Sequence, residues 1–387
     1  GHKLGAPKLH KKHLIGLDIA RFCAALFVMF YHLGALYLLD PSKPYLTSII
    51  DVNLIHSLTF ASAKYGWIGV QVFFVISGMV IAASLDGKTW QDYARSRFLR
   101  LYPGVWVCTA ISMACIIATH QSEASHWFSL WMRSSLISPI WPWVDGAYWT
   151  LPVEITFYGI MLVGIGRTPR TSMLVAMALC LMSTLFWSLY LWAPTDSALA
   201  HWTGKAAGRF RFDVAFVQYG IYFGIGILVN RLGSMLAKLA VLAACAPICF
   251  IQIEKSAQHS TEYMNTLVSS WVPFVIWLTA ISLILLSTEW NELIHAKLSK
   301  RTVAWIRQIG LATYPLYLLH VTVGFAVMYV GSQVGIAALP NWLLGFAAPI
   351  ALSLWVADNV EPAVRRRTAL ALDRITSSGR AAKAFRN

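Results

Sequence analysis

Four ionisable side chains stand inside long apolar runs of this 387-residue chain: Arg21, His32, Glu154 and His320. Hydrocarbon tolerates such groups only where they pair or face a polar interior, so they mark tight structural contacts or chemistry. Histidine titrates near neutrality and is the commonest general base, and a carboxylate beside it can orient the ring and stabilise the imidazolium. On a helix Asp18, Arg21 and His32 share one stripe, because steps of about 100° bring all three to within roughly 40° of one direction. Arg21 and His32 are then about three turns, or about 16 Å, apart along it.

Positioning these residues requires helices that cross a bilayer. The chain is 57% hydrophobic and 12% charged, where soluble domains carry about 25% charged residues, and its mean hydropathy is +0.59. Its net charge is +14, from 31 Lys and Arg against 17 Asp and Glu. Nucleic-acid partners are disfavoured, since they need a polar basic surface that this composition lacks. Ten apolar stretches approach the roughly 20 residues of a spanning helix: 17–39, 65–84, 101–119, 148–166, 171–192, 214–230, 236–253, 265–287, 309–331 and 341–358. The fold class expected is an all-α integral membrane protein, with about ten transmembrane helices in one bundle.

Placing the N-terminus in the cytoplasm puts 23 of the 31 Lys and Arg on the inner side and 7 outside, with Arg21 inside the first span. That bias favours both termini cytoplasmic. Residues 1–13 read as a cytoplasmic tail, 14–367 as the transmembrane domain and 368–387 as a basic cytoplasmic tail. The outer loop 193–213 dissents with Lys205, Arg209 and Arg211, either as tolerated charges or as contacts to an anionic extracytoplasmic substrate. In this topology His32 and Glu154 both lie roughly 10 Å below the outer surface. They read as a base and its orienting carboxylate, or as a buried pair that holds two helices together.

Arg95, Arg97 and Arg100, with Arg21 opposite, form a cluster suited to phosphate oxygens, or an ordinary positive-inside anchor. His320 is either a hydrogen-bonded core residue or part of a site. Trp127, Trp131, Trp141 and Trp143 suit an interface belt or sugar stacking. The six cysteines fall in apolar runs and read as buried thiols, and no residue set has metal-ligand spacing.

Several ordered motifs together resemble the membrane acyltransferase 3 family. They are Leu17-Asp-Ile-Ala-Arg21 with His32, Gly69-Val-Gln-Val-Phe-Phe-Val-Ile-Ser-Gly78, Arg97-Phe-Leu-Arg100, Tyr148-Trp-Thr-Leu-Pro-Val-Glu154 with Phe157-Tyr158, Tyr314-Pro-Leu-Tyr-Leu-Leu-His320 and Val360-Glu-Pro362. The resemblance covers about residues 14–367. It implies a bacterial inner-membrane enzyme that moves an acyl group, usually acetyl, from cytoplasmic acetyl-CoA to a hydroxyl of an extracytoplasmic glycan such as an exopolysaccharide. Polysaccharide biosynthesis machinery is a candidate partner.

Carried over by position, the resemblance makes Arg21 and His32 the functional first-span pair, Arg97 and Arg100 the Arg-x-x-Arg element and Glu154 the fourth-span acid. His32 and Glu154 are the expected catalytic residues, and Arg21, Arg95, Arg97 and Arg100 the expected acyl-CoA ligands. Asp18, Tyr158, Trp149, His320, Arg209 and Arg211 are expected to face substrate. Pro152 departs from the family pattern, where a Ser or similar small residue is expected, and no fused hydrolase-like domain is expected. Direct transfer with His32 as base and a covalent acyl-His32 route both fit, and a transporter using Arg21, His32 and Glu154 as a relay is the alternative class.

Overall fold

The computed structural model describes residues 13–37, 52–85, 87–119, 124–163 and 169–384, and all regular elements among them are helical. Most of the expected N-terminal tail, 1–12, therefore lies outside the described residues. The chain enters through α1 (Ile15–Tyr31), extended by a π-turn at His32–Leu36. α2 (Val52–Ala63) and a 3₁₀ turn at Gly66–Ile68 lead into α3 (Gly69–Ser84), followed by α4 (Trp90–Thr119) and α5 (Trp127–Ser135). A second 3₁₀ turn, Gly146–Trp149, opens α6 (Thr150–Val163).

Next come α7 (Pro169–Trp192), α8 (Ala198–Ala207), α9 (Phe210–Val214), α10 (Gly220–Arg231), α11 (Met235–Met264) and α12 (Trp271–Glu289). α13 (Asn291–Lys297), α14 (Lys300–Gln333) and α15 (Ala338–Trp355) follow, and a π-turn at Val356–Val360 joins α15 to α16 (Glu361–Ala384).

Among the described residues, eight segments are long and apolar enough to cross a bilayer. The expected spans 148–166 and 214–230 differ: they correspond to α6 and α10, of 14 and 12 residues, with 164–168 outside the described residues. α10 is buried over most of its length, packed between α3 and α7. A helix surrounded by protein need not reach both faces of the bilayer, so hydropathy alone overstates its span.

α14 is the central helix: from Gly310 to Ala326 nearly every side chain is buried, and it packs against α1, α4 and α15. A helix apolar all round belongs in such a place. By contrast α7 and α12 turn Leu174, Leu181, Val275 and Leu283 outward, each more than half exposed. Such a belt suits hydrocarbon and would be an aggregation hazard in water.

Backbone contact locks α3 to α10. A Cβ at Gly226 would stand 2.1 Å from the Val75 carbonyl oxygen, and one at Gly78 would stand 2.3 Å from that of Phe223. Small residues permit this approach in membrane bundles. Gly226→Ala must push two backbones apart, so it is expected to cost about 1–3 kcal/mol, the usual range for overpacking. The check is the melting temperature in detergent; an unchanged melting temperature would contradict the close crossing.

Candidate active site

The stripe on α1 faces two cavities that follow one another along the helix. Asp18 and Arg21 line a basic cavity of ≈ 380 Å³ near the start of α1, whereas His32 lines a second of ≈ 590 Å³ beyond its end.

In the basic cavity Arg21 meets Arg97 and Arg100 of α4 and Arg307 of α14. The Arg97 guanidinium lies over the Tyr93 and Tyr158 rings at 5.6 Å each, and that of Arg100 over Tyr314 at 5.9 Å. These faces hold the planar groups while leaving their edges for oxyanions. Two acids share the wall. Glu154 accepts a hydrogen bond from Tyr158 one turn along α6, and Asp18 contacts His13 at 2.5 Å and Arg21 at 3.7 Å. Gly310 makes room for the Asp18 carboxylate, since a Cβ there would come within 2.3 Å of its Cγ.

Sequence spacing placed Arg97 and Arg100 together, and the structure does so. It does not bring Arg95 with them. Arg95 forms an exposed ion pair with Asp373 at 2.8 Å and does not line the cavity. The reason is periodicity: α4 already begins at Trp90, so Arg97 and Arg100 share a face while Arg95 points about 160° from Arg97 and about 140° from Arg100. Arg307, which sequence reasoning missed, was legible from its seven-residue spacing to Tyr314, two turns along one helical face. Pro152 produces no break, because it lies in the first turn of α6, where its missing N–H has no intrahelical partner to lose.

His32 occupies the junction between α1 and the π-turn, and external donors take the carbonyls that follow. Leu33 O accepts from Trp342 Nε1 at 2.9 Å and Gly34 O from Thr59 Oγ1 at 2.6 Å, while His32 O accepts from Tyr37 N five residues on at 3.3 Å. Such π-turns recur where a side chain must be placed for function.

The imidazole stacks on Tyr37 at 5.1 Å, and its Nδ1 lies 2.7 Å from His320 Nε2. On its other side His320 Nδ1 faces the carbonyls of Tyr317 at 2.8 Å and Leu316 at 3.2 Å. Carbonyls only accept, so Nδ1 of His320 carries its proton, and in the neutral ring Nε2 accepts. His32 must then donate through Nδ1, which makes its Nε2 the nitrogen with the lone pair. Thus His32 is oriented by His320, not by Glu154, which lines the other cavity. His320 is fully buried and lines neither cavity, so it touches no substrate directly.

The rest of the His32 cavity combines rings and uncharged polar groups: Trp67, Trp149 and Tyr219 with Gln71, Gln218 and Ser256. Trp149, expected to face substrate, lines the same cavity as His32. Arg209 and Arg211, for which the same was expected, are both exposed and neither lines the cavity. The charged residues at this wall are Asp213, Lys255 and Glu262, so no single sign dominates. Burial holds the Asp213 carboxyl well above the usual carboxylate range, and its Oδ1 has no hydrogen-bond partner among the described residues. Trp143 turns inward onto Phe210, whereas Trp141 stays exposed.

The described residues thus form a helical bundle, with helices long and apolar enough to cross a membrane, in which a basic cavity and a histidine-bearing one follow one another along α1. The sequence profile described as an acyltransferase domain, that of the acyltransferase 3 family, matches residues 14–358, so the chain belongs to that family. It is a multi-pass membrane acyltransferase. Searches of curated proteins and of solved structures give no match.

Proposed function

We propose that this protein transfers an acetyl or other short acyl group from cytoplasmic acyl-CoA to a hydroxyl of an extracytoplasmic glycan, in the bacterial inner membrane with both termini in the cytoplasm. The observation that carries the reading is the alignment of four guanidiniums in one cavity with an oriented imidazole in the next. Arg21, Arg97, Arg100 and Arg307 suit the phosphates of CoA, whose narrow pantetheine arm can span the roughly three helical turns between Arg21 and His32. Glu154 and Asp18 offset repulsion among the arginines, and Tyr158 belongs with them.

At the far end His32 Nε2 removes the proton of the acceptor hydroxyl as its oxygen attacks the thioester carbonyl. The C–S bond breaks and the departing CoA thiolate recovers the proton from the imidazolium. Rings and uncharged polar groups at the cavity wall suit a glycan, and the mixed charges there do not select an acidic one. An exopolysaccharide or its lipid-linked precursor is the proposed acceptor, with polysaccharide biosynthesis enzymes as partners.

The test is reconstitution in liposomes, with labelled acetyl-CoA on the side of the basic cavity and a panel of glycans on the other. Label on glycan with CoA retained on its own side is the expected result; solute uptake without thioester cleavage would indicate a transporter. Arg97→Ala and Arg100→Ala are each expected to raise the donor KM about 10- to 100-fold, from about 1.5–3 kcal/mol per charged hydrogen bond. Unchanged donor KM values would remove the arginines from the donor site.

A further inference from the structure

Only a few side chains separate the two cavities. Val70 of α3 and Tyr317 of α14 belong to the walls of both, and each is 8% exposed. The helices around them change sides at the same level. On α3, Phe73 lines the basic cavity and Gln71 the His32 cavity. At the start of α6, Thr150 lines the basic cavity and Trp149 the other. Tyr317 is held across this boundary by one hydrogen bond, in which its Oη accepts from Thr150 Oγ1 at 3.2 Å, and by the edge of its ring against Phe73 at 5.6 Å.

We infer that Tyr317, facing Val70, is the gate through which the acyl end of the thioester passes, and that this constriction sets the length of acyl group accepted. The inference rests on the donor path proposed above. An acyl group carried from the arginines to His32 must cross the boundary that Tyr317 and Val70 form. The ring is tethered by a single neutral hydrogen bond, so it can tilt aside and return. When closed it separates the thioester from water in the His32 cavity. The backbone carbonyl of Tyr317 also accepts from His320 Nδ1, and the Tyr317 ring lies 5.9 Å from the His320 ring, so Tyr317→Phe, which keeps both the carbonyl and the ring, perturbs the tether without disturbing the orientation of the base.

The experiment uses the reconstituted full-length chain with acetyl-, butyryl-, hexanoyl- and octanoyl-CoA, measuring acyl transfer to a glycan that the wild type uses and CoA release without acceptor. Wild type is expected to lose kcat/KM steeply with acyl length. Tyr317→Ala is expected to flatten that dependence at least tenfold and to raise acceptor-free CoA release severalfold, with the acetyl-CoA KM within about twofold. Tyr317→Phe, which removes only the tether, should raise CoA release while keeping the length preference.

Val70→Trp is expected to block CoA release while donor binding persists, and it keeps the inference testable if Tyr317→Ala does not fold. A length profile and CoA release unchanged in folded Tyr317→Ala, or normal turnover in Val70→Trp, overturns the gate. Wild-type protein that cleaves no acyl-CoA overturns the donor reading, and the gate falls with it.

Discussion

His32→Ala is expected to lower kcat for acyl transfer by about 10³-fold or more, while donor binding changes less than about twofold. General base catalysis contributes about 10²–10⁴ in rate, and loss of the ring also removes the group that protonates the departing thiolate. Donor affinity should survive because the guanidiniums line a different cavity, about 16 Å away along α1 by helical rise. The two measurements are steady-state CoA release and calorimetric binding of acyl-CoA. Rapid quench with donor alone separates the chemical routes. No acyl-His32 should accumulate if the imidazole acts as a base, and a trapped acyl-imidazole would establish covalent transfer. Residual turnover within tenfold of wild type would exclude His32 from the chemistry.

Helical periodicity was enough to place Asp18, Arg21 and His32 on one face of α1 and to group Arg97 with Arg100, because both inferences concern neighbours on a single helix. The partner of His32 was harder to read, since it depends on how far each helix is displaced along its axis. Matching depth suggested Glu154, on the assumption that its span starts at the membrane surface near residue 148. In the structure the preceding segment dips into the bundle. Val144, Asp145, Ala147 and Tyr148 are all buried, and the Asp145 side chain caps the turn by accepting from Ala147 N at 2.7 Å.

α6 therefore begins inside the protein, which carries Glu154 toward the arginines. Hydropathy cannot detect this displacement, because a buried loop of Trp, Tyr, Ala and Val has the same composition as the start of a span. His320 takes the vacated role through contact between α1 and α14. That crossing is set by packing between helices distant in sequence, for which one sequence carries no signal.

His320→Ala is expected to reduce kcat by about 10²–10⁴-fold without touching substrate. In the serine-protease triad, a wrong tautomer with intact geometry lowers kcat by about 10⁴, and the hydrogen-bond pattern here gives His320 the same task. Its Nδ1 is committed to the carbonyls of Tyr317 and Leu316, so its Nε2 accepts from His32 Nδ1. Without that acceptor both tautomers of His32 become accessible, and the form protonated on Nε2 cannot take a proton from the acceptor.

Truncating a fully buried ring also leaves a cavity, which costs stability on its own account. His320→Gln distinguishes the two effects, because its carbonyl oxygen can accept from His32 Nδ1 while filling most of the space. Partial recovery of kcat in the Gln variant, an altered pH–rate profile in the Ala variant and an unchanged donor KM in both would mark a positioning residue. A shared loss of melting temperature that tracks kcat in both variants would instead assign His320 to the core. Wild-type kcat in His320→Ala would mean that some other group orients His32.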